Sequence, residues 1–190
     1  MAIKTFTTGE VLTAADTNTY LANSGLVYIT TTTFATAATP NTDGCFSDSY
    51  DSYRLICNYT GSATTDTRLI LRNGSGNITG SFYRFQAVRA YGSSVDGLPY
   101  YNTAFVPYFG LAYGGSTSMA QCVHDIMNPF AAKTTTATFT CFADTSGASV
   151  NYMQAGGWQY AQNTSATGFQ LAPASGTITG TVTVYGYRKA

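Results

Sequence analysis

The stretch TITGTVTVYGY, residues 177–187, places apolar and polar residues in strict alternation. Ile178, Val182 and Val184 fall on one side, and Thr179, Thr181, Thr183 and Tyr185 on the other, because successive side chains of a strand point to opposite faces. Gly180 interrupts the series and predicts a bulge. The same period of two recurs upstream. In YRLICNY, residues 53–59, Tyr53, Leu55, Cys57 and Tyr59 share a face against Arg54, Ile56 and Asn58. In TRLILR, residues 67–72, Leu69 and Leu71 oppose Arg68, Ile70 and Arg72. Between these two strands the polar linker Gly61-Ser62-Ala63-Thr64-Thr65-Asp66 reads as a hairpin loop, longer than the tightest turns.

Further short runs, separated by clusters of Gly, Pro, Asn, Asp and Ser, predict strands near 27–34, 82–90, 103–109, 119–127, 135–143, 149–155 and 167–172. That makes about ten strands in all. No period of 20 to 50 residues repeats, which excludes a solenoid. The reading is an all-β protein whose body, residues 26–190, is a two-sheet antiparallel sandwich with Cys57, Leu69, Leu71, Val182 and Val184 buried.

Composition agrees. Of 190 residues, 44% are hydrophobic but only 9% charged, against roughly 25% charged in ordinary soluble domains. Thr, Ser, Asn and Gly must therefore solvate the surface, and β-branched Thr suits the polar face of a strand. One Glu and three Lys leave little of the usual helix-surface vocabulary. Nine basic residues balance nine acidic ones, which argues against a nucleic-acid partner, since that affinity needs a cationic surplus. Five of the six Arg lie between Arg54 and Arg89. Weak mutual repulsion between near-neutral copies favours self-association, so a homo-oligomer is expected.

No run of eighteen apolar residues exists, so no membrane span is expected, and the opening MAIKTFTTGEVL lacks the apolar core of a secretory signal. Folding in a cytoplasm is the expectation. Cys45, Cys57, Cys122 and Cys141 are widely spaced, form no CxxC pair, and read as four reduced, buried thiols.

One helix is predicted. Thr13-Ala14-Ala15-Asp16 resembles a capping box, with Thr13 as the cap and Asp16 on the positive end of the dipole. The helix should run to Leu21 and stop at Asn23-Ser24-Gly25. A helix this short is stable only when packed on something, so residues 1–25 are read as a docking arm that buries Val11, Leu12, Tyr20 and Leu21.

Catalytic and metal-binding patterns are weak. His124 is the only histidine, and its neighbour Asp125 must point to the opposite face of the same strand, so the two do not form a base and its orienter. Most Asp residues stand in turn settings such as Asp43-Gly44, Asp48-Ser49 and Asp96-Gly97. Zinc spacing and the oxygen-ligand series of an EF-hand are both missing. The reading is therefore a non-enzymatic chain with no catalytic residue, cofactor or metal. The segment 91–116 carries the strongest binding signal. There Tyr91, Tyr100, Tyr101, Tyr108 and Tyr113 are interleaved with Gly, Ser, Asn and Pro, a mixture that supplies rigid amphipathic contact area beside adaptable polar groups.

The opening TFTTGEVLTAADTNTYLANSGL resembles the N-terminal segment of many small structural proteins of tailed phages, which share a phrase of the form "F..G.VLTAAD.N.YL.N"; here it spans Phe6 to Asn23. The closing ATGFQLAPASGTITGTVTVYGYRK, residues 166–189, is similar to the last strands of phage jelly-roll modules. YDSYRLICNYTGS and TRLILRNGSGNITGSFYRF resemble the paired strands of those modules. The resemblance implies a jelly-roll-like sandwich and a virion protein assembled in the host cytoplasm. It also implies an oligomer, with a trimer favoured, held to other virion proteins by its N-terminal arm. The tail or a tail fibre is the expected location, with contact to a host surface glycan. A decoration protein on the head, and a carbohydrate-binding or depolymerising module, are the alternatives.

Overall fold

The computed structural model describes residues 7–11, 13–16, 25–112, 114, 119–143 and 152–189. In chain order the strands are β1 (Leu26–Ala37), β2 (Asn41–Thr42), β3 (Tyr50–Gly61), β4 (Thr65–Asn73), β5 (Gly76–Asn77), β6 (Tyr83–Tyr91), β7 (Ser94–Thr103), β8 (Val106–Ala112), β9 (Ala120–Met127), β10 (Thr135–Ala143), β11 (Tyr152–Tyr160), β12 (Gly168–Pro173) and β13 (Ile178–Arg188). They form two antiparallel sheets. The larger runs β1-β13-β3-β9-β10-β11-β6-β7; the smaller runs β2-β12-β4, with β5 and β8 both paired to β4. The expected two-sheet β-sandwich is the observed architecture.

The core lies between the sheets, built from the alternation read in the sequence. Tyr53, Leu55, Cys57 and Tyr59 of β3 point inward, with Phe85, Phe139, Trp158, Val182 and Val184 from neighbouring strands. Opposite them stand Leu69 and Leu71 of β4, Phe169 and Leu171 of β12, and Val106 and Phe109 of β8. Outward positions carry threonine, as at Thr31 and Thr183, whose hydroxyls lie 3.0 Å apart across β1 and β13.

Buried tyrosines need partners for their hydroxyls, and for Tyr83 and Tyr53 the backbone supplies them. Tyr83 Oη donates to the Ile78 carbonyl at 2.9 Å and accepts from the Leu71 N–H at 3.1 Å. Tyr53 Oη donates to the Ser47 carbonyl and accepts from its N–H, both at 2.8 Å. Buried Gln170 is held by side chains instead: its Nε2 donates to Asn41 Oδ1 at 2.8 Å, and its Oε1 accepts from Asn77 Nδ2 at 3.0 Å.

Several expectations need correction. The linker after β3 is not a hairpin. β3 pairs with β13 and β9 in the large sheet, whereas β4 pairs with β12, β5 and β8 in the small one, so residues 61–65 carry the chain from one layer to the other. Gly180 does not bulge either: β13 stays in register with β3 there, and the irregularity falls on β1, between Phe34 and Ala37. Gly180 is needed for close approach, because a Cβ at this position would lie 2.1 Å from the Asn58 carbonyl oxygen.

The four-thiol expectation fails for two cysteines. Cys122 and Cys141 are direct cross-strand partners on the inner faces of β9 and β10 and are joined as a disulfide, while Cys45 and Cys57 are free and buried. Finally, the expected N-terminal helix is present among the described residues only as one turn, Ala14–Asp16. Its continuation to Leu21 lies outside the described residues.

Candidate interaction surfaces

The tyrosine-rich segment is not an open loop. Residues 94–103 form edge strand β7, joined to β6 by a two-residue turn in which Gly92 takes φ 61° and Tyr91 faces Ser94. A glycine with positive φ at the first turn position lets the twist of the turn match that of the strands. Pro99, which would remove a ladder hydrogen bond from a central strand, is accommodated because β7 is an edge.

This strand sorts the tyrosines. Tyr91 and Tyr101 are exposed, at 47% and 59%. Tyr100 and Tyr108 are partly buried and packed on the core, their rings 5.2 Å apart and 6.3 Å from Phe85, with Tyr100 Oη donating to Tyr108 Oη at 3.0 Å. That hydrogen bond, followed by burial, pushes the Tyr108 hydroxyl up to about 12. Tyr113 lies outside the described residues. Of the proposed arm, Val11 is exposed, and Leu12, Tyr20 and Leu21 lie outside the described residues.

His124 is fully buried on the inner face of β9. Its Nδ1 accepts from Trp158 Nε1 at 3.4 Å, and its Nε2 lies 3.1 Å from the Phe109 carbonyl oxygen, to which it donates as the Nε2–H tautomer. Desolvation lowers its pKa to about 3, so it is neutral. Asp125 points the other way, to the outer face. There it accepts Arg54 Nε at 2.8 Å, Arg54 Nη2 at 2.7 Å and Tyr187 Oη at 2.6 Å, bracing β3, β9 and β13. Those hydrogen bonds, the Arg54 contacts foremost, hold its carboxyl below the usual range. In the acidic run 43–51, Asp43 pairs with Arg72 at 2.7 Å and Asp51 with Lys189 at 3.0 Å.

The outer face of the large sheet carries two features that the sequence did not single out. One is apolar: Phe142, Met153, Ala90 and Val95 follow one another in register across β10, β11, β6 and β7, and Phe142, Met153 and Val95 are 43%, 53% and 71% exposed. The other is a groove of about 540 Å³ on β6, β7, β10 and β11. Gly157 stands between Gln86 and Thr138 in the strand ladder, and Gln159 between Arg84 and Thr136. With no side chain at Gly157 the floor is bare backbone, while Arg84, Gln86, Gln159 and Thr136 rise around it. Tyr101 closes one side, its hydroxyl accepting from Gln86 Nε2 at 2.5 Å. Arg54, Arg72 and Arg89 each have a carboxylate partner, but among the described residues Arg84 has none. The signal available in the sequence was the pair Gly156-Gly157 directly after the strand expected at 149–155; the structure carries β11 on to Tyr160, and glycines inside a strand mark a place where something approaches the backbone.

Among the described residues no three His, Cys, Asp or Glu side chains gather as metal ligands would. The chain matches no known family model, no curated protein and no solved structure.

Proposed function

We propose that this chain is a non-enzymatic structural protein of a tailed-phage virion, associated with the tail or a tail fibre. In this reading the sandwich is jelly-roll-like, residues 1–25 form the arm that joins it to other virion proteins, and the oligomer is a trimer. The observation that carries the reading is the resemblance of residues 6–23 and 166–189 to phage structural proteins. The surface supports it. A face with few charges and a row of exposed Phe142, Met153 and Val95 suits contact between protein subunits better than free solvation.

The test is assembly. Deleting residues 1–25 should leave a folded sandwich, by circular dichroism and thermal unfolding, that no longer enters the particle. A truncated protein incorporated at normal copy number would move the anchor to the sandwich itself. Locating the protein in a particle reconstruction separates the tail from the head.

A further inference from the structure

We infer that the groove around Gly157 binds a carboxylate-bearing sugar of an acidic polysaccharide, with Arg84 on the carboxylate and Tyr101 against the sugar ring. It rests on the virion reading only for the source of the sugar, a bacterial surface; the binding chemistry stands by itself.

Three observations lead there. First, charge is scarce in this chain, and two other arginines of the large sheet, Arg54 on its outer face and Arg89 on the inner-facing side of β6, are already committed. Arg54 makes a two-point contact with Asp125, and Arg89 does the same with Asp96. Arg84 lies at the groove with no carboxylate partner among the described residues, and its planar fork is suited to a carboxylate supplied from outside. Second, the groove walls are rich in groups that both donate and accept. Gln86 and Gln159 carry amides and Thr136 a hydroxyl, a set that can pair with ring hydroxyls. Third, Tyr101 is 59% exposed yet fixed by its hydrogen bond from Gln86. An aromatic ring restrained by that hydrogen bond, beside a bare glycine floor, offers the apolar face of a sugar ring a wall at reduced ordering cost.

A peptide carboxylate would satisfy Arg84 alone. A sugar adds hydroxyls that can pair with the Gln159 amide and the Thr136 hydroxyl, which line the same groove.

The test uses the full chain and a panel of acidic oligosaccharides: oligogalacturonate, oligoalginate, a hyaluronan tetrasaccharide and sialyllactose. Each is titrated by calorimetry and by amide NMR, alongside its carboxyl methyl ester. At least one acid should bind saturably and shift the Gly157 amide, and its methyl ester should bind about tenfold more weakly or worse. Arg84→Gln and Tyr101→Ala should each weaken the acid by a similar factor, with an unchanged thermal midpoint. Lys133→Gln, an exposed cation outside the groove, should have no effect.

Failure of the whole panel to bind would overturn the inference, as would equal binding of acid and ester. Equal losses in Arg84→Gln and Lys133→Gln would show general charge attraction and overturn it too. So would competition by tetraglutamate at the same concentration as the sugar, which would make the groove a carboxylate site for peptides. None of these outcomes bears on particle assembly, which the arm deletion tests separately.

Discussion

The His124 ring lies parallel to that of Phe109 from the opposite sheet, 9° between planes and 3.9 Å between centroids. On its own sheet it faces its cross-strand partner Phe139 at 4.9 Å and the same angle. An imidazole so enclosed, with both nitrogens engaged, is a core residue that links the two layers. It is not a base awaiting a substrate.

This placement makes the sandwich acid-sensitive. The folded pKa of His124 is lowered from 6.5 to about 3, so between those values the unfolded chain binds a proton that the folded chain refuses. Stability should therefore fall as pH drops below 6.5, by about 1.4 kcal/mol per pH unit, and the loss should level off near pH 3. Urea unfolding of the wild type and His124→Phe between pH 4.5 and 7 checks it: the variant, although less stable at neutral pH, should have a clearly flatter profile. Equal slopes would place the titrating group elsewhere.

Thr135 is fully buried at the start of β10, and its hydroxyl has no hydrogen-bond partner among the described residues. Removing an unsatisfied hydroxyl while keeping the branched shape should help. Thr135→Val is expected to gain about 1 kcal/mol, measured by chemical denaturation. A loss of stability would mean that the hydroxyl has a partner, such as a bound water.

Gly180→Ala should be costly, because the added methyl would meet the Asn58 carbonyl oxygen at 2.1 Å and Tyr59 Cα at 2.6 Å, and backbone cannot swing aside as a side chain does. A loss of about 2 kcal/mol or more is expected, with β3 and β13 forced apart. Gly97, whose Cβ would meet nothing within 4 Å, is the matched control. If Gly180→Ala proved as mild as Gly97→Ala, the close packing of β3 and β13 would be refuted.

The cysteines should divide two and two. Alkylation of unfolded protein without reductant should label Cys45 and Cys57 and leave a linked peptide pair carrying Cys122 and Cys141; after reduction all four should react. Four labels before reduction would restore the fully reduced reading. Cys57 is the cross-strand neighbour of Cys122 on its other side, so the mapping should include that pair.

The strands were legible because alternation is a local property. Burial of one face decides every second residue, and Leu69, Leu71, Val182 and Val184 could be placed in the core from their own neighbourhoods alone. The opposite outlooks of His124 and Asp125 followed from the same rule. One strand escaped. Asp96-Gly97 and Pro99 gave residues 94–103 the look of a loop, and only the position of β7 at a sheet edge makes that composition tolerable in a strand.

What the tertiary structure decided is which strands meet. Alternation says that β3 and β4 have inner faces; it does not say that they belong to different sheets, which turns the linker from a hairpin into a crossing between layers. Pairing across 19 residues brought Cys122 to Cys141. The groove is assembled from Arg84 and Gln86, Tyr101, Thr136, and Gly157 and Gln159, on four strands whose adjacency no local pattern records. Side-chain facing is fixed by a period of two within a few residues. Strand partnership is fixed by the burial of the whole sheet, and that free energy is shared among residues distant along the chain.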